Sequence, residues 1–401
     1  MHKIERLLQT LAPKGVEFRK LGDIGEFYGG LVGKSKKSFS QGNKFYVPYV
    51  NVFNNPQLDL NALESVQIGD KEKQNTIQLG DVLFTGSSEN LEDCAMSCVV
   101  TQKIEKDIYL NSFCFGFRFF DKNLFNPSFL KHFLRDYNFR KNISKVANGV
   151  TRFNVSKQLL SQITIPIPPL EIQQEIVKIL DAFTELNTEL NTELKARKKQ
   201  YQYYQNMLLD FKDIHSNHKD AKEKLAQKTY PKRLKTLLQT LAPKGVEFRK
   251  LGEVCEILDN RRIPIAKNKR NPGIYPYYGA NGIQDYIDSY IFDGDFVLVG
   301  EDGSVINKDN TPVVNWASGK IWVNNHAHVL QTKNELKLKF LYFYLQTIDV
   351  SYCVAGTPPK INQENLKKIT IPIPPLEIQQ EIVKILDQFS ILTTDLLAGI
   401  P

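Results

Sequence analysis

LLQTLAPKGVEFRKLG, from Leu7 to Gly22, recurs letter for letter from Leu237 to Gly252, at an offset of 230 residues. A second segment, ITIPIPPLEIQQEIVKILD, runs from Ile163 to Asp181 and recurs from Ile369 to Asp387, at an offset of 206 residues. Identical runs of this length do not arise by chance, so the chain holds two copies of one unit, each enclosed by the same two segments. Identical segments usually pack or dock a common partner, whereas variable segments carry function. The repeats therefore predict one scaffold around two different functional regions.

The regions between the repeats are Asp23 to Gln162, with 140 residues, and Glu253 to Lys368, with 116 residues. They look unrelated except for four short similarities that occur in the same order. These pairs are VPYV at Val47 and YPYY at Tyr275, GDVLFTG at Gly80 and GDFVLVG at Gly294, IYLN at Ile108 and IWVN at Ile321, and FLKHFL at Phe129 and FLYFYL at Phe340. The ordered series indicates one fold whose loops are shorter in the second copy.

The glycine-flanked, β-branched and aromatic segments predict short strands in each copy, at GDVLFTG and GDFVLVG and in IYLNSFCFGFRFF and IWVNNHAHVLQT. Helices are predicted over Pro127 to Tyr137 and over Leu338 to Thr347. Because proline is tolerated in a first helical turn, further helices should begin near Pro169 and Pro375. The fold class predicted for each copy is α+β.

A long helix after Pro169 is indicated by apolar residues spaced alternately four and three apart, the stripe of a helix that packs on another helix. The stripe consists of Ile172, Ile176, Ile179, Phe183, Leu186, Leu190, Leu194, Tyr201, Tyr204, Leu208 and Phe211. The tandem TELN repeat, Thr184 to Lys195, acts as a stutter in the heptads. An ordinary core-facing helix would show the same stripe. The second copy ends at Pro401, so its last helix, of about 24 residues at most, should leave the stripe from Tyr201 to Phe211 uncovered.

Composition places the chain among ordinary globular proteins. Its 401 residues exceed the size of a single hydrophobic core, so two cores are expected. The five cysteines are odd in number and lack paired CxxC spacing, which favours free thiols. No signal peptide or membrane-spanning run is evident, and a cytoplasmic location is expected. The net charge of +8 equals the local excess of basic residues between Lys195 and Lys235. This stretch includes a polar and charged segment, Lys212 to Tyr230, which is predicted to be a linker.

Catalytic motifs are absent from the sequence: it contains no glycine-rich phosphate loop, no DPPY or NPPF and no HExxH. His326 and His328 alternate on a predicted strand and should share one face, but no third metal ligand accompanies them. We therefore expect a protein that is not an enzyme, with no metal and no cofactor bound by this chain.

The two repeats, together with KARKKQYQYYQNMLL after the TELN tandem, resemble the repeated regions of specificity subunits of type I restriction–modification systems. The resemblance covers nearly the whole chain. It implies two mixed α/β target-recognition domains in a pseudo-two-fold arrangement, separated by long antiparallel coiled-coil-like helices. It also implies binding of double-stranded DNA, methyltransferase subunits that use S-adenosylmethionine, a restriction and translocase subunit, and possible self-association, with no membrane. The shortened last helix departs from the family pattern.

The domain boundaries that follow from the repeats and the resemblance are 1–22 for the N-terminal repeat, 23–162 for the first recognition domain, 163–211 for the central helical spacer, 212–252 for the linker and second repeat, 253–368 for the second recognition domain and 369–401 for the last helix. Two other readings stay open. One is the recognition subunit of another methyltransferase arrangement, including a self-associating short form. The other is a coiled-coil scaffold whose variable domains bind proteins.

The chemistry of base reading needs hydrogen-bonding side chains on exposed loops, with lysine and arginine around them to neutralise phosphates. Candidate phosphate contacts are the basic clusters Lys34, Lys36, Lys37, Lys44, Arg261, Arg262, Lys267, Lys269 and Arg270, and the basic run from Lys131 to Lys157. Candidate base contacts are Ser87, Ser88, Asn90, Thr151, Arg152, Asn281, Thr357 and Lys360. A solvated basic surface is the ordinary alternative for the first group, and turn-forming residues are the alternative for the second.

Overall fold

The structure is a computed structural model that describes residues 3–39, 41–215, 220–303 and 305–398. The chain divides into two compact units, unit 1 from Met1 to Leu186 and unit 2 from Asn187 to Pro401. Across the described ranges, none of the helices combines the length and apolar character that crossing a membrane requires.

Unit 1 begins with a helix and alternates short helices with short strands. Its helices are α1 (Lys3–Leu11), α2 (Leu21–Ile24), α3 (Tyr49–Asn54), α4 (Pro127–Phe133), α5 (Tyr137–Val146), α6 (Lys157–Leu160) and the start of α7 (Leu170–Leu209). Its strands are β1 (Glu17–Lys20), β2 (Gly25–Gly29), β3 (Lys44–Val47), β4 (Glu64–Val66), β5 (Val82–Thr85), β6 (Ser87–Ser88), β7 (Ser97–Val99), β8 (Ile108–Leu110), β9 (Cys114–Phe119), β10 (Ala147–Asn148), β11 (Phe153–Val155) and β12 (Thr164–Ile167).

The core of unit 1 lies around a four-stranded antiparallel sheet in the order β2-β9-β5-β7. Phe84 and Phe117 from this sheet pack with Phe129 and Leu130 of α4. A three-stranded sheet, β4-β3-β8, carries a second apolar cluster around Val47. The unit therefore has the α+β composition that the sequence predicts.

Unit 2 contains the rest of α7 and a larger, continuous sheet. Its further helices are α8 (Ala221–Gln227), α9 (Lys232–Leu241), α10 (Leu251–Val254), α11 (Leu338–Leu345), α12 (Gln363–Lys368) and α13 (Leu376–Ala398). Its strands are β13 (Glu247–Lys250), β14 (Cys255–Ile257), β15 (Pro272–Gly279), β16 (Gly282–Ile287), β17 (Phe292–Gly300), β18 (Val314–Val323), β19 (Ala327–Thr332) and β20 (Thr370–Ile373). Six of them form one sheet in the order β14-β19-β17-β18-β15-β16, with β15 and β18 parallel.

The two repeated segments pair with each other and close each unit. In unit 1, β1 runs antiparallel to β12 with Glu17 opposite Ile167, and in unit 2, β13 runs antiparallel to β20 with Glu247 opposite Ile373. The turn before the first strand recurs as well: Gly15 has φ +96° and Gly245 has φ +97°, a left-handed conformation that favours glycine. The identical segments at the two ends of each copy thus form the same antiparallel strand pair in both units.

A buried glutamine at the start of each long helix, α7 and α13, holds the loop that precedes an earlier helix, α4 in unit 1 and α11 in unit 2. Gln173 accepts a hydrogen bond from the backbone N–H of Asn126 at 2.8 Å, and Gln379 accepts one from Lys337 at 2.8 Å. Each glutamine also donates to two backbone carbonyls, and both are fully buried. The start of α7 and the start of α13 therefore have the same structural task.

Most predicted elements are present, with changed ends. The helices after Pro169 and Pro375 begin at Leu170 and Leu376. The helix predicted to reach Tyr137 instead ends at Phe133. A new helix starts there because the Asp136 side chain accepts a hydrogen bond from the N–H of Asn138 and caps it.

Strand pairing shifts two of the four sequence similarities. Tyr46 pairs with Tyr109, and Tyr277 pairs with Trp322. Because Tyr109 and Trp322 match in the IYLN and IWVN segments, Tyr277 corresponds to Tyr46. The match of VPYV with YPYY would instead place Ile274 there. The second shift concerns the end of GDVLFTG. The pairing of β6 with β11 in unit 1 corresponds to the bridge between Asp302 and Lys360 in unit 2. Asp302 is therefore the counterpart of Ser87, whereas the letter match would give Glu301. Register follows burial and hydrogen bonding, and short letter matches do not define it.

The apolar stripe of α7 is covered at the end where we expected exposure. Leu208 and Phe211 are buried in the core of unit 2, and Tyr204 stacks on Phe389 of α13 at 4.7 Å between ring centroids. Exposure falls on Phe183, at 53%, and Leu186, at 48%, within unit 1. The expectation of an uncovered Tyr201–Phe211 segment is wrong, because α13 and the residues after α7 fold over that end.

The polar linker is the source of part of this cover. The predicted linker, Lys212 to Tyr230, contains α8 and a short 3-10 turn, Lys212–Ile214; residues 216–219 lie outside the described part of the chain. Ile214, Leu225 and Tyr230 are buried with Leu234 of α9. A few apolar residues in this charged segment are sufficient to attach it to the core, while most of α8 stays exposed.

All five cysteines are free and buried, as their spacing predicts. Burial raises the pKa of the Cys98 thiol, and that of the Cys255 thiol, to about 12.

Candidate nucleic-acid interface

The predicted base-contact segments of unit 1 meet at the end of β5. β6 (Ser87–Ser88) pairs with β11, with Ser88 opposite Phe153 and Ser87 opposite Asn154. The tight turn between β10 and β11 carries Thr151 and Arg152, both exposed. Two segments that are more than 60 residues apart in the chain are thereby brought side by side.

A cavity of about 380 Å³ opens beside these loops. Its lining includes four predicted residues, Ser87, Ser88, Asn90 and Arg152, and also Tyr49, Phe53, Glu89, Asp93 and Phe113. The Asn90 amide donates to Asp93 at 3.0 Å, and the Tyr49 hydroxyl donates to the carbonyl of Ser87 at 2.8 Å. Hydroxyl, amide and guanidinium groups read acceptor and donor edges of bases, and carboxylates accept from base amino groups.

Sequence reasoning missed the aromatic wall of this cavity. Tyr49 belongs to the VPYV segment, which the sequence marks as scaffold, and Phe113 follows the IYLN strand. Phe113 is 65% exposed, which is unusual for a large aromatic side chain and was not visible in the letters.

In unit 2 the corresponding loop is a hairpin rooted beside the end of β17. Ala355 and Lys360 exchange two backbone hydrogen bonds of 2.9 Å, and the N–H of Gly303 donates to the carbonyl of Pro359 at 3.0 Å. Thr357 lies exposed at the tip of this hairpin. Asn281, the remaining predicted base contact, is exposed in the different turn between β15 and β16.

Beneath the hairpin lies a cluster of five ionisable side chains. The Nδ1 of His328 is 2.6 Å from Asp259, and Arg262 contacts Glu301 at 2.6 Å and Asp259 at 3.4 Å. Lys360 contacts Glu301 at 3.1 Å. Burial would raise the pKa of Asp259, but the hydrogen bond and charge of His328, with Arg262, outweigh it and hold that pKa below its usual value.

Three of these groups have the composition of a metal site, since ligand atoms of Asp259, Glu301 and His328 lie within 4.8 Å of one another. The two imidazoles contact different carboxylates, because His326 pairs with Asp302. Arg262 and Lys360 already neutralise the carboxylates near His328, so these side chains form an ion-pair cluster that leaves a metal ion little to gain.

The predicted phosphate contacts of unit 1 differ in their exposure. Lys34 is only 8% exposed, and its ammonium contacts Glu72 at 2.5 Å and the carbonyl of Gln67 at 2.7 Å. That hydrogen bond, with others from Gly69 and Gln74, lowers the pKa of Glu72 to about 2. Lys44 pairs with Asp107 at 3.3 Å. Lys36 and Lys37 are exposed on a short 3-10 turn, Lys36–Phe39.

Unit 2 shows the same division. Arg262 is 11% exposed within the charged cluster, and Arg270 contacts Asp285 at 3.3 Å with its guanidinium 4.1 Å from the ring centre of Tyr277. Arg261 is exposed with its guanidinium over Phe292, and Lys267 and Lys269 are exposed on a short turn. Their roles as DNA contacts stay predictions.

Two arginines of the Lys131–Lys157 run are held inside unit 1. Arg135 donates to the carbonyls of Ser97, Val52 and Phe53, and Arg140 donates to those of Ala95 and Cys94. Burial lowers the pKa of both guanidinium groups. Such side chains stabilise the loops that carry the interface.

Comparison with known proteins gives a consistent result. A family model described as type I restriction modification DNA specificity domain matches residues 13–200 and 243–401. A putative type I restriction enzyme specificity subunit of Haemophilus influenzae is 45% identical over 151 residues, which is 37% of this chain and 39% of that protein. A putative type I specificity subunit of Mycoplasma pneumoniae is 32% identical over 249 residues, 60% of this chain and 89% of that protein.

Solved structures agree on the fold. The crystal structure of a type I restriction–modification S subunit from M. genitalium matches with a TM-score of 0.55 at 15% identity, over 96% of this chain and 94% of that chain. A chain from a structure that describes complex assembly and conformational transition of the type I system matches with a TM-score of 0.50 at 18% identity, over 97% of this chain and 93% of that chain. Because the family model covers both repeated units, the chain belongs to the type I restriction–modification DNA specificity family.

Proposed function

We propose that this chain is the sequence-specific, double-stranded DNA-binding subunit of a type I restriction–modification complex, in which each unit reads one half of a split target. The specificity subunit is the non-catalytic member of such systems. One observation carries the proposal. In both units two variable loops meet at the end of an equivalent strand, β5 in unit 1 and β17 in unit 2. Ser87 lies beside Asn154 in unit 1, and Asp302 lies beside Lys360 in unit 2.

The repeated segments and the variable regions have different roles. In our proposal, residues 23–162 and 253–368 are the recognition domains. Residues 1–22 and 212–252 close the units, and the helices of residues 163–211 and 369–401 form the spacer. The exposed lysines near each loop supply phosphate contacts, and the polar cavity of unit 1 and the hairpin of unit 2 supply base contacts.

The partners we propose are methyltransferase subunits that carry S-adenosylmethionine and a restriction and translocase subunit. The related Haemophilus protein is named a restriction enzyme specificity subunit, which supports this assignment. Phe183 and Leu186 of α7, large apolar side chains exposed to solvent, are suited to docking such a subunit. We place the complex in the cytoplasm with the DNA that it reads.

Duplex binding at several salt concentrations tests the DNA-binding role. Phosphate contacts release counterions, so affinity should fall steeply and linearly on a log–log plot as salt rises. A weak, salt-independent interaction with DNA would contradict the proposal and would favour a protein-binding scaffold.

Exchange of one recognition domain tests the division between the units. Replacing residues 253–368 with the matching segment of another family member should change one half of the methylated motif when the chain is mixed with its methyltransferase subunit. The other half should stay the same, because β13 and β20 close the frame with the same register as β1 and β12. A change in both halves would reject independent reading.

A further inference from the structure

His328 of β19 is fully buried and lies between two groups that only accept hydrogen bonds. Its Nδ1 is 2.6 Å from a carboxylate oxygen of Asp259, and its Nε2 is 2.7 Å from the backbone carbonyl of Ile361. A carboxylate and a carbonyl have no proton to give, so each ring nitrogen must carry one. The geometry therefore requires the imidazolium form.

The other charged groups around the ring are consistent with a cation. Glu301 lies 3.7 Å from Nδ1, and Arg262 bridges Glu301 and Asp259. Lys360 contacts the far oxygen of Glu301, and the Gln363 amide donates to Asp259 at 3.2 Å. With a protonated ring, three cations surround two carboxylates. Loss of one ring proton would leave a lone pair facing an acceptor in a buried site, which is costly.

Ile361 is the root of the Ala355–Lys360 hairpin. Its N–H donates to the carbonyl of Glu301 at 2.9 Å, while its own carbonyl accepts from His328. The hairpin above this root is exposed from Ala355 to Lys360. Its other contacts with the end of β17 are the hydrogen bond from Gly303 to Pro359 and the ion pair between Lys360 and Glu301.

Unit 1 anchors its loop without such a charge. Ser156 and Asn362 stand before the last short helix of their units. Two residues before these positions, Asn154 corresponds to Lys360, and their strand partners Ser87 and Asp302 therefore correspond as well. Phe84 and Val299 each lie three residues before those partners. Phe115, which pairs with Phe84, is thus the counterpart of His328, which pairs with Val299. Phe115 packs in the apolar core.

We propose that protonated His328 is a positioning residue that holds the Ala355–Lys360 hairpin in its DNA-reading geometry through the Ile361 carbonyl, so that reading by unit 2 alone depends on pH. The proposal rests on the proposed function, because it takes this hairpin as a reader. Anchoring is present at low pH, while the ring carries both protons. It is lost as the pH rises and the ring gives one up.

Hydrogen exchange of the full chain without DNA tests whether His328 anchors the hairpin. As the pH is raised from acid to alkaline values, the amides of Ala355, Lys360 and Ile361 should lose protection. Exchange in the β10–β11 loop of unit 1 provides the internal reference for intrinsic pH effects. Absence of any such loss in the natural chain overturns the proposal.

Asp259→Asn is the informative variant. An amide can donate to Nδ1, so a neutral ring can keep its bond to Ile361, and protection of the hairpin should become independent of pH. The same pH dependence in this variant as in the natural chain would show that the His328–Asp259 pair does not control the hairpin.

Methylation by the assembled complex tests the link to reading. His328→Phe, which installs the residue of unit 1, should weaken discrimination at the half-site of unit 2 about tenfold or more and leave the other half-site unchanged. If exchange behaves as expected but neither His328→Phe nor Asp259→Asn alters the half-site at any pH, the hairpin is not a reader and the proposal fails, while DNA binding by the chain stands.

Discussion

The two units hold equivalent loops by different means. In unit 1 the loop is part of a small sheet, β10-β11-β6, above an apolar core that contains Phe115. In unit 2 the equivalent hairpin stands on a buried cluster of Asp259, Glu301 and His328 with two further cations. The repeated ends are the same in both. The repeated frame thus permits the side chains beneath the equivalent loops to be replaced as a group.

Lengthening α7 between the units should give the largest change. Inserting one further TELN after Asn191 adds about 6 Å of helix. Because bases are about 3.4 Å apart along the duplex, the unspecified gap of the target should lengthen by roughly one to two base pairs, with both half-sites retained. Methylation mapping beside the parent protein measures this. An unchanged gap with retained activity would show that α7 does not set the spacing.

The clamping glutamines should matter equally in both units. Gln173→Ala and Gln379→Ala each leave buried backbone groups without partners, and we expect each to lower the free energy of unfolding of its own unit by about 3 kcal/mol. Denaturant unfolding, with hydrogen exchange to assign the affected unit, measures the loss. The neighbouring exposed residues Gln174 and Gln380 supply matched alanine controls. An effect in one unit only would mean that the frames are not equivalent.

Exposed and engaged lysines should separate in DNA binding. Lys36→Gln and Lys267→Gln should each weaken binding to all duplexes alike and reduce the slope of log affinity against log salt by about one. Lys34→Met should instead lower the thermal stability of unit 1, because its ammonium is held by Glu72. A salt slope that is unchanged in the first two variants would remove them from the interface.

The smallest effect is expected at a matched pair of ion pairs. Lys3 contacts Glu175 at 2.5 Å and Arg233 contacts Glu381 at 3.1 Å, at equivalent positions of the two repeats. Both cations are largely exposed, so Glu175→Gln and Glu381→Gln should each cost only about 0.5 kcal/mol or less. Thermal melts of the two variants test this. A loss of several kcal/mol in either would show that the pair is more than a surface contact.

The sequence by itself determined the repeated frame. Identical segments predicted two α+β units with helices after Pro169 and Pro375, and the glycine-flanked strands lie where β-branched composition placed them. These features are local or depend on exact repetition, so letters suffice. The basic and polar loop residues were also identifiable, although the sequence could not separate Lys36, which is exposed, from Lys34, which is not.

Only the tertiary structure decided what lies against what. The registers of β3 and β17 differ from the letter matches, because strand pairing fixes register through long-range hydrogen bonds. The cover over Leu208 and Phe211 comes partly from the linker that follows α7 and partly from segments distant in the chain. The two acceptors that face the ring nitrogens of His328 are Asp259, 69 residues away, and Ile361, 33 residues away. A hydrogen bond constrains a side chain through its partner's position, and that position exists only in the folded chain.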